Sequence, residues 1–235
     1  MNKLILLFII MSSTAFAQDE IVTDRPDATE SALIIPFKSI QIETGTTYSS
    51  EQRVVSYAVP EYLFRVGVHK YLELRLENSF NKIGSIDGIN SSDLFLGIKA
   101  QILKKERFKI AFLSHINLPE NNRNDLLYVE KLLLSYEIND DTEIGVNLGI
   151  DGVGGDSNGQ FVYAVALGKG VSDKFGFFIE NFGSISDDEG LNSMIDGGFS
   201  FLLKNKIQLD TKFGIDTQFF KDYFFGLGIS IRFFS

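Results

Sequence analysis

The sequence predicts an all-β protein: a transmembrane, antiparallel, up-and-down β-barrel of about twelve strands. Three observations lead to this fold class. The chain opens with an export leader, polar and apolar residues then alternate along about twelve segments, and the connections between segments alternate between short and long. No 3.6-residue period persists after the leader, so no helix is predicted there.

The first 17 residues have the features of a secretory signal peptide. Lys3 supplies a basic start, an apolar stretch follows, and Ala-Phe-Ala precedes the cleavage point. The stretch is too short to span a bilayer, and Gln18 stands where a lipoprotein would carry cysteine. We therefore predict a leader over residues 1–17, an N-terminal periplasmic, plug-like segment over 18–38 and an outer-membrane barrel over 39–235.

The composition excludes several classes of function. Lys and Arg number 22 against 31 Asp and Glu, a formal net charge of −9, so a nucleic-acid partner is not expected. No cysteine is present, so the exported chain must rely on a hydrogen-bonded framework rather than disulfides. The two histidines, His69 and His115, are not at metal-ligand spacing. We predict neither a cofactor nor a metal.

Alternation with a period of two is clearest in the last segment. One set of positions is apolar throughout: Tyr223, Phe225, Leu227, Ile229, Ile231 and Phe233. The intervening set is mostly small or polar: Phe224, Gly226, Gly228, Ser230, Arg232 and Phe234. The two sets lie on opposite faces of a strand. Similar segments of about ten residues start near residues 39, 54, 70, 92, 107, 126, 142, 160, 174, 193, 206 and 222.

Loop lengths favour a membrane barrel. Short turns, such as the one near His69, alternate with longer stretches such as GSIDGINSS and LPENNRND. In outer-membrane barrels the short turns face the periplasm and the long loops face outside. A sheet can span hydrocarbon only if it closes, because every backbone group must be paired. The alternative is a soluble secreted sandwich or lipocalin-like barrel, in which the apolar face would form the core.

The last strand also predicts partners. The sequence from Gly228 through Ile231 and Phe233 resembles the terminal aromatic signal that barrel-assembly machinery reads, although Ser235 displaces the aromatic from the final position. The apolar face of the barrel is expected to contact outer-membrane lipid.

Charged residues on the other face predict a polar lumen of mixed sign with an excess of acids. The candidates for lining a solute path are Glu43, Glu61, Arg65, Glu73, Arg75, Glu77, Asp93, Lys99, Glu180, Asp196, Asp210 and Arg232. The functional interpretation is a channel or facilitated transporter for a small-molecule solute. The alternative is a ladder of ion pairs that fills a structural or adhesin-like barrel, because twelve strands lie between the filled eight and the open sixteen.

No catalytic residue is predicted. His115 follows Ser114, but adjacent residues of a strand point to opposite faces and cannot act as a base and its nucleophile. An outer-membrane lipid enzyme would need a serine from another strand as the partner of His115, and this alternative stays open.

The stretch TDRPDATES, residues 23–31, is too polar to join a core. An arginine can form a bidentate pair with a carboxylate, and a proline stiffens the chain beside it. We predict that this stretch folds into the periplasmic mouth as a small plug or gate and pairs with lumen charges such as Arg65 or Glu73. The candidate plug residues are Asp24, Arg25, Pro26, Asp27 and Glu30. The alternative is a loose tether left over from export.

Several stretches together resemble one family of exported bacterial proteins. They are VTDRPDATES at 22–31, QIETG at 41–45, PEYLFRVG at 60–67 and LELR at 72–75. The family consists of transporter-like proteins assigned to the MetA pathway of phenol degradation, and the resemblance covers most of the chain after the leader. It implies an outer-membrane barrel with a role in solute uptake, and it carries neither a substrate nor site residues.

Overall fold

The computed structural model describes residues 20–84, 88–92, 94–118, 126–154, 157–188 and 190–234. The predicted signal peptide, Ser235 and parts of the predicted long loops lie outside the described residues. No helix in the described ranges is long and apolar enough to cross a membrane.

Thirteen strands form one antiparallel sheet in the described part of the chain. They are β1 Ile40–Glu51, β2 Val54–His69, β3 Leu72–Ile83, β4 Asn90–Ser91, β5 Leu94–Lys104, β6 Phe108–Leu118, β7 Leu127–Asn139, β8 Thr142–Gly154, β9 Ser157–Ser172, β10 Phe175–Ser186, β11 Gly190–Lys204, β12 Ile207–Asp216 and β13 Tyr223–Phe233.

The sheet closes into a barrel of twelve strands. Each long strand pairs with the next in the chain, and β13 pairs with β1. The two-residue strand β4 adds only to the edge of β3, which also pairs with β5. The predicted fold, an up-and-down antiparallel barrel of about twelve strands, is therefore confirmed. Both ends of the barrel sequence, at β1 and β13, lie at the end that carries the short turns, here called the short-turn end.

Two strands begin earlier than the sequence predicts. β9 starts at Ser157 and β11 at Gly190, whereas the alternation predicted starts at 160 and 193. Cross-strand pairing continues past the regular alternation here, from Gly154 to Ser157 and from Ser186 to Gly190. The alternation of polar and apolar residues ends where neither face of the strand needs to be apolar. The hydrogen-bonded pairing of the strands continues beyond that point.

The polarity of the barrel is the reverse of that in a soluble protein. Inward side chains such as Arg65, Glu73 and Lys99 are 0% exposed, whereas outward ones such as Ile179 and Phe213 are 50% and 54% exposed. A soluble fold buries its apolar residues and exposes its charges. The apolar outer face therefore requires lipid, and the secreted sandwich with an apolar core is excluded.

Candidate functional site

The N-terminal segment, residues 20–38 as described here, lies inside the barrel. It is tied to the short-turn end at both ends: Ile21 N donates to Asn205 O at 2.8 Å, and Lys38 N donates to Gly67 O at 2.8 Å. Between these points it contacts inward side chains near the middle of the strands, such as Asn147 of β8. It therefore reaches further into the lumen than the mouth position expected from the sequence.

Asp24 forms the densest charge cluster of the segment. Its carboxylate lies 2.8 Å from Lys99 Nζ and 3.3 Å from Arg65 Nη1, and it also accepts a hydrogen bond from Arg75. These three cations come from β5, β2 and β3, and all are buried. These cations hold the pKa of Asp24 far below its ordinary value, against burial, which would raise it. One carboxylate thus ties the segment to three strands.

Two wall carboxylates accept hydrogen bonds from the backbone of the segment. Glu43 Oε2 accepts from the N–H groups of Asp24 and Arg25 at 2.9 and 3.0 Å. Glu73 Oε2 accepts from Ile35 N at 2.8 Å. Arg65 bridges both carboxylates, at 2.8 Å from Glu43 and 2.9 Å from Glu73. The wall therefore satisfies backbone groups that no sheet ladder pairs.

Glu30 and its neighbours attach the segment to β7, β8 and β10. The Glu30 carboxylate lies 2.8 Å from Arg75 Nη2 and 3.1 Å from Lys131 Nζ. Its backbone exchanges two hydrogen bonds with the Asn147 amide, at 2.6 and 3.0 Å. Ala28 N donates to Glu180 Oε2 at 2.7 Å. Although burial raises it, the cations lower the pKa of Glu30 to about 2.

Arg25 pairs with strands on both sides of the β1–β13 seam. Its Nη1 is 2.9 Å from Glu61 Oε2 of β2, and its Nε is 3.6 Å from Asp210 Oδ1 of β12. Pro26 is buried beside it. Arg25 therefore does not pair with Glu73, the acid among the expected partners, because Glu73 is already bound by Arg65 and Arg75.

The Asp27 carboxyl group lies near the carboxyl groups of other acidic residues. Burial, and then the negative charge of Glu180, raise the pKa of Asp27 well above its ordinary value. Asp196 lies opposite Glu180 in the register of β10 and β11. Three carboxyl groups therefore meet on this side of the segment.

The remaining predicted residues are dispersed. Glu77 lines a cavity on the long-loop side of the segment and forms no ion pair within the described residues. Arg232 lies at the short-turn end, where its Nη1 donates to Glu20 O at 3.1 Å. Asp93 lies outside the described residues.

Sequence reasoning missed several groups that contact the segment, among them Lys131, Asn147 and Gln208. Lys131 and Asn147 bind Glu30, and Gln208 Nε2 donates to Thr23 Oγ1 at 2.9 Å. Lys131 was hidden by the run of three leucines at residues 132–134, which breaks the alternation. The inward leucine of that run, Leu133, is 0% exposed and joins a small apolar cluster with Ala32, Ala111 and Leu113. An apolar residue at an inward position was the available signal of contact with the segment.

His115 and Ser114 point to opposite faces of the strand, as predicted from the sequence. Ser114 donates to Glu130 Oε1 at 2.8 Å on the outer face. His115 is 5% exposed in the lumen wall, against the ring of Phe95. The described residues contain no group of three or more acids and histidines arranged to hold a metal.

Cavities lie on both sides of the segment. One of about 450 Å³, here called the upper cavity, lies toward the long-loop end and is lined by Glu61, Glu77 and Lys131 among others. Another, of about 390 Å³, opens at the short-turn end. The residues that line both of these cavities are Arg25, Pro26 and Asp27. These three residues therefore face both sides of the segment.

Comparison with known proteins identifies the family. A family model described as "Putative MetA-pathway of phenol degradation" matches residues 23–233. The chain belongs to this family. The match begins at the TDRPD stretch that contacts the lumen wall, so the model includes the N-terminal segment as well as the barrel. No curated protein sequence is similar enough to count as a relative.

Solved structures share the fold of this family member. The COG4313 outer membrane channel from Pseudomonas putida F1 has a TM-score of 0.68 at 10% identity, covering 86% of this chain and 97% of the other. The KdgM porin in complex with disordered oligogalacturonate has a TM-score of 0.65 at 8% identity, covering 83% and 99%. At such identities the likeness concerns the fold. With its apolar outer face, this fold places the protein in the bacterial outer membrane.

Proposed function

We propose that this family member is an outer-membrane channel for small solutes and that the N-terminal segment closes it at rest. The observation that carries the proposal is that polar cavities lie on both sides of the segment, and that two of them share only Arg25, Pro26 and Asp27. A barrel with a purely structural role has no need of cavities on both sides of the segment. The fold shared with a channel and a porin supports the same function.

The way in which the segment is held fits a removable closure. Within the described residues it forms no strand and is fixed by hydrogen bonds and ion pairs. Water or solute can replace such contacts one at a time, whereas extracting a strand would break a continuous ladder. Release would expose wall charges of both signs, and these would remain partly paired with one another, as Arg65 is with Glu73.

The path beside the closed segment is acidic. Glu77 and Asp27 line the upper cavity without an ion pair in the described part of the chain, and Asp196 lies nearby opposite Glu180. Charge at a constriction selects ions of opposite sign. We therefore propose that, at a pH high enough to ionise these carboxyl groups, ions leaking past the closed segment are mainly cations.

Deletion of residues 20–31 tests the closure in planar bilayers. The deletion removes Asp24, Arg25 and Glu30 and should raise single-channel conductance several-fold. The matched control is Phe37→Ala/Lys38→Ala, which alters exposed residues of the same segment and should conduct like the native chain. Equal conductance in the deletion variant and the native chain would contradict the proposal.

A filled structural barrel is the second candidate. It is favoured by the complete burial of Arg65, Glu73 and Lys99 around the segment. In that case the deletion variant would lose thermal stability without conducting.

A further inference from the structure

Arg25 lies in a slot built by four neighbouring strands. Glu61 of β2 is opposite Gly45 of β1, and Gly45 is opposite Gly228 of β13. Gly228 is in turn opposite Asp210 of β12. Two carboxylates therefore flank a floor of two glycines on the lumen side of the wall. We call this arrangement the Arg25 slot.

The floor accommodates a guanidinium only because neither of its residues has a side chain. A Cβ on Gly45 would lie 2.3 Å from Arg25 Nη2, and one on Gly228 would lie 2.6 Å from Arg25 Nε. Both distances are shorter than real contacts of a Cβ atom, so any larger residue would displace the guanidinium. Glycine allows this close approach, and the resulting shape suits a flat cation.

The two carboxylates hold Arg25 unequally. Glu61 Oε2 is 2.9 Å from Nη1, a normal charge-assisted hydrogen bond. Asp210 Oδ1 is 3.6 Å from Nε, and neither oxygen of Asp210 accepts a hydrogen bond from the described residues, although its side chain is 0% exposed. A buried carboxylate without a donor is unfavourable. Asp210 therefore has acceptor capacity that Arg25 leaves unused.

The nearest other cation does not fill this capacity. Lys212 is two residues further along β12, but its ammonium lies over the ring of Phe224, 5.6 Å from the centroid. Glu43 lies close to the slot and accepts hydrogen bonds from the backbone of Asp24 and Arg25. The surroundings therefore favour a cation at the slot and supply only Arg25.

We infer that the Arg25 slot binds the guanidinium or primary alkylammonium group of a solute, with Arg25 as its internal occupant while the channel is closed. Such a group carries the positive charge and the N–H donors that Glu61 and Asp210 accept. Glu61 and Arg25 line the upper cavity, so a solute that enters from the long-loop end reaches the slot. A solute that displaces Arg25 also frees one of the three residues that line both cavities.

The solute class rests on the channel function proposed above, whereas binding to the slot can be measured without conduction. The probe is guanidinium chloride at millimolar concentration, far below denaturing levels. Tetramethylammonium chloride is the matched control, because it has the same charge and no N–H donor.

Arg25→Ala empties the slot. Guanidinium should raise the thermal unfolding midpoint of this variant by a few degrees, because it binds the folded barrel. Tetramethylammonium should not. The native protein should show a smaller shift at the same guanidinium concentration, because guanidinium must first displace Arg25. Arg25→Ala/Asp210→Asn should lose the response to guanidinium.

Three results would overturn the site: no thermal shift with guanidinium, an equal shift with tetramethylammonium, or an undiminished shift in the Asp210→Asn double variant. A thermal shift in a barrel that never conducts, even without residues 20–31, would support the slot and contradict the channel. If Arg25→Ala does not fold, Arg25→Gln serves in its place. A glutamine carries no charge, so guanidinium should still raise the unfolding midpoint of this variant, and no shift would overturn the site.

Discussion

At the scale of single residues, Asp24 contributes most to holding the N-terminal segment in the lumen. Its carboxylate contacts Arg65, Arg75 and Lys99. Arg65 and Arg75 also pair with Glu73, but Lys99 forms no other ion pair within the described residues. Removal of the Asp24 charge therefore leaves a buried ammonium uncompensated, which is costly at low dielectric.

We predict that Asp24→Asn loosens the segment by about 3–5 kcal/mol, the usual effect of removing one partner of a buried ion pair. The ratio of open to closed channel should then rise by at least about 100-fold, since 1.4 kcal/mol corresponds to a factor of ten. Single-channel dwell times give this ratio. Ser31→Ala is the control, because among the described residues Ser31 Oγ accepts only a local hydrogen bond from Leu33 N. An Asp24→Asn channel as closed as the control would refute the prediction.

Asp27 makes closure depend on pH. Burial and the charge of Glu180 raise the pKa of Asp27 well above 3.8, so the closed segment retains a proton that a free segment would release. This contribution to closure is complete below pH 3.8 and is lost as the pH rises through the raised pKa. Glu30 acts in the opposite sense: with its pKa lowered to about 2, its contribution is complete above pH 4.5 and is lost as the pH falls toward 2.

We therefore predict that open probability increases between pH 5 and pH 8.5, a range in which Glu30 stays ionised. Asp27→Asn cannot lose a proton, so this variant should remain closed over more of this range and respond to pH less than the native channel. Bilayer recordings across this range measure the effect. A native channel with no pH dependence, or a variant that retains it undiminished, would count against Asp27 as a titrating group.

At the scale of elements, the strands follow from the sequence better than the N-terminal segment does. Period-two alternation is set by the two faces of each strand, so about twelve segments and the closed barrel could be predicted. The contacts of the segment could not. Strand alternation does not tell which lumen charge pairs with which, and Arg25 pairs with Glu61 and Asp210 because Glu73 is already bound by Arg65 and Arg75.

One element breaks the alternation on its lipid face. On β7, Lys131 points into the lumen and Glu130 points outward, between the exposed rings of Tyr128 and Tyr136. Ser114 of β6 is its hydrogen-bond partner in the described residues. Charged side chains on this face destabilise a barrel, and carboxylates do so less than basic groups.

We predict that Glu130→Leu stabilises the barrel by roughly 1–2 kcal/mol against urea in lipid vesicles, because a leucine at this depth favours hydrocarbon. The control is Leu132→Ala, which shortens an apolar residue of the same face and should destabilise. A loss of stability in Glu130→Leu would show that the carboxylate has a partner in the membrane.

At the scale of the whole molecule, an apolar outer face encloses a charged lumen whose middle contains the chain's own N-terminal segment. Under the proposed function, closure by polar contacts would seal the barrel at rest without requiring any strand to move. The passage of solutes would then depend on whether residues 20–38 leave the wall.

The most direct measurement ties the segment to the wall and then releases it. A Cβ built on Gly145 would lie 2.8 Å from Thr29 Cγ2, so cysteines at positions 29 and 145 are close enough to form a disulfide. The native chain has no cysteine to compete. Single-channel current through Thr29→Cys/Gly145→Cys is recorded before and after reductant, with each single variant as a control. We expect the channel to stay closed while the disulfide is oxidised and to regain native openings when the disulfide is reduced. Identical openings in both states would contradict this expectation, because solutes would then pass without movement of the segment.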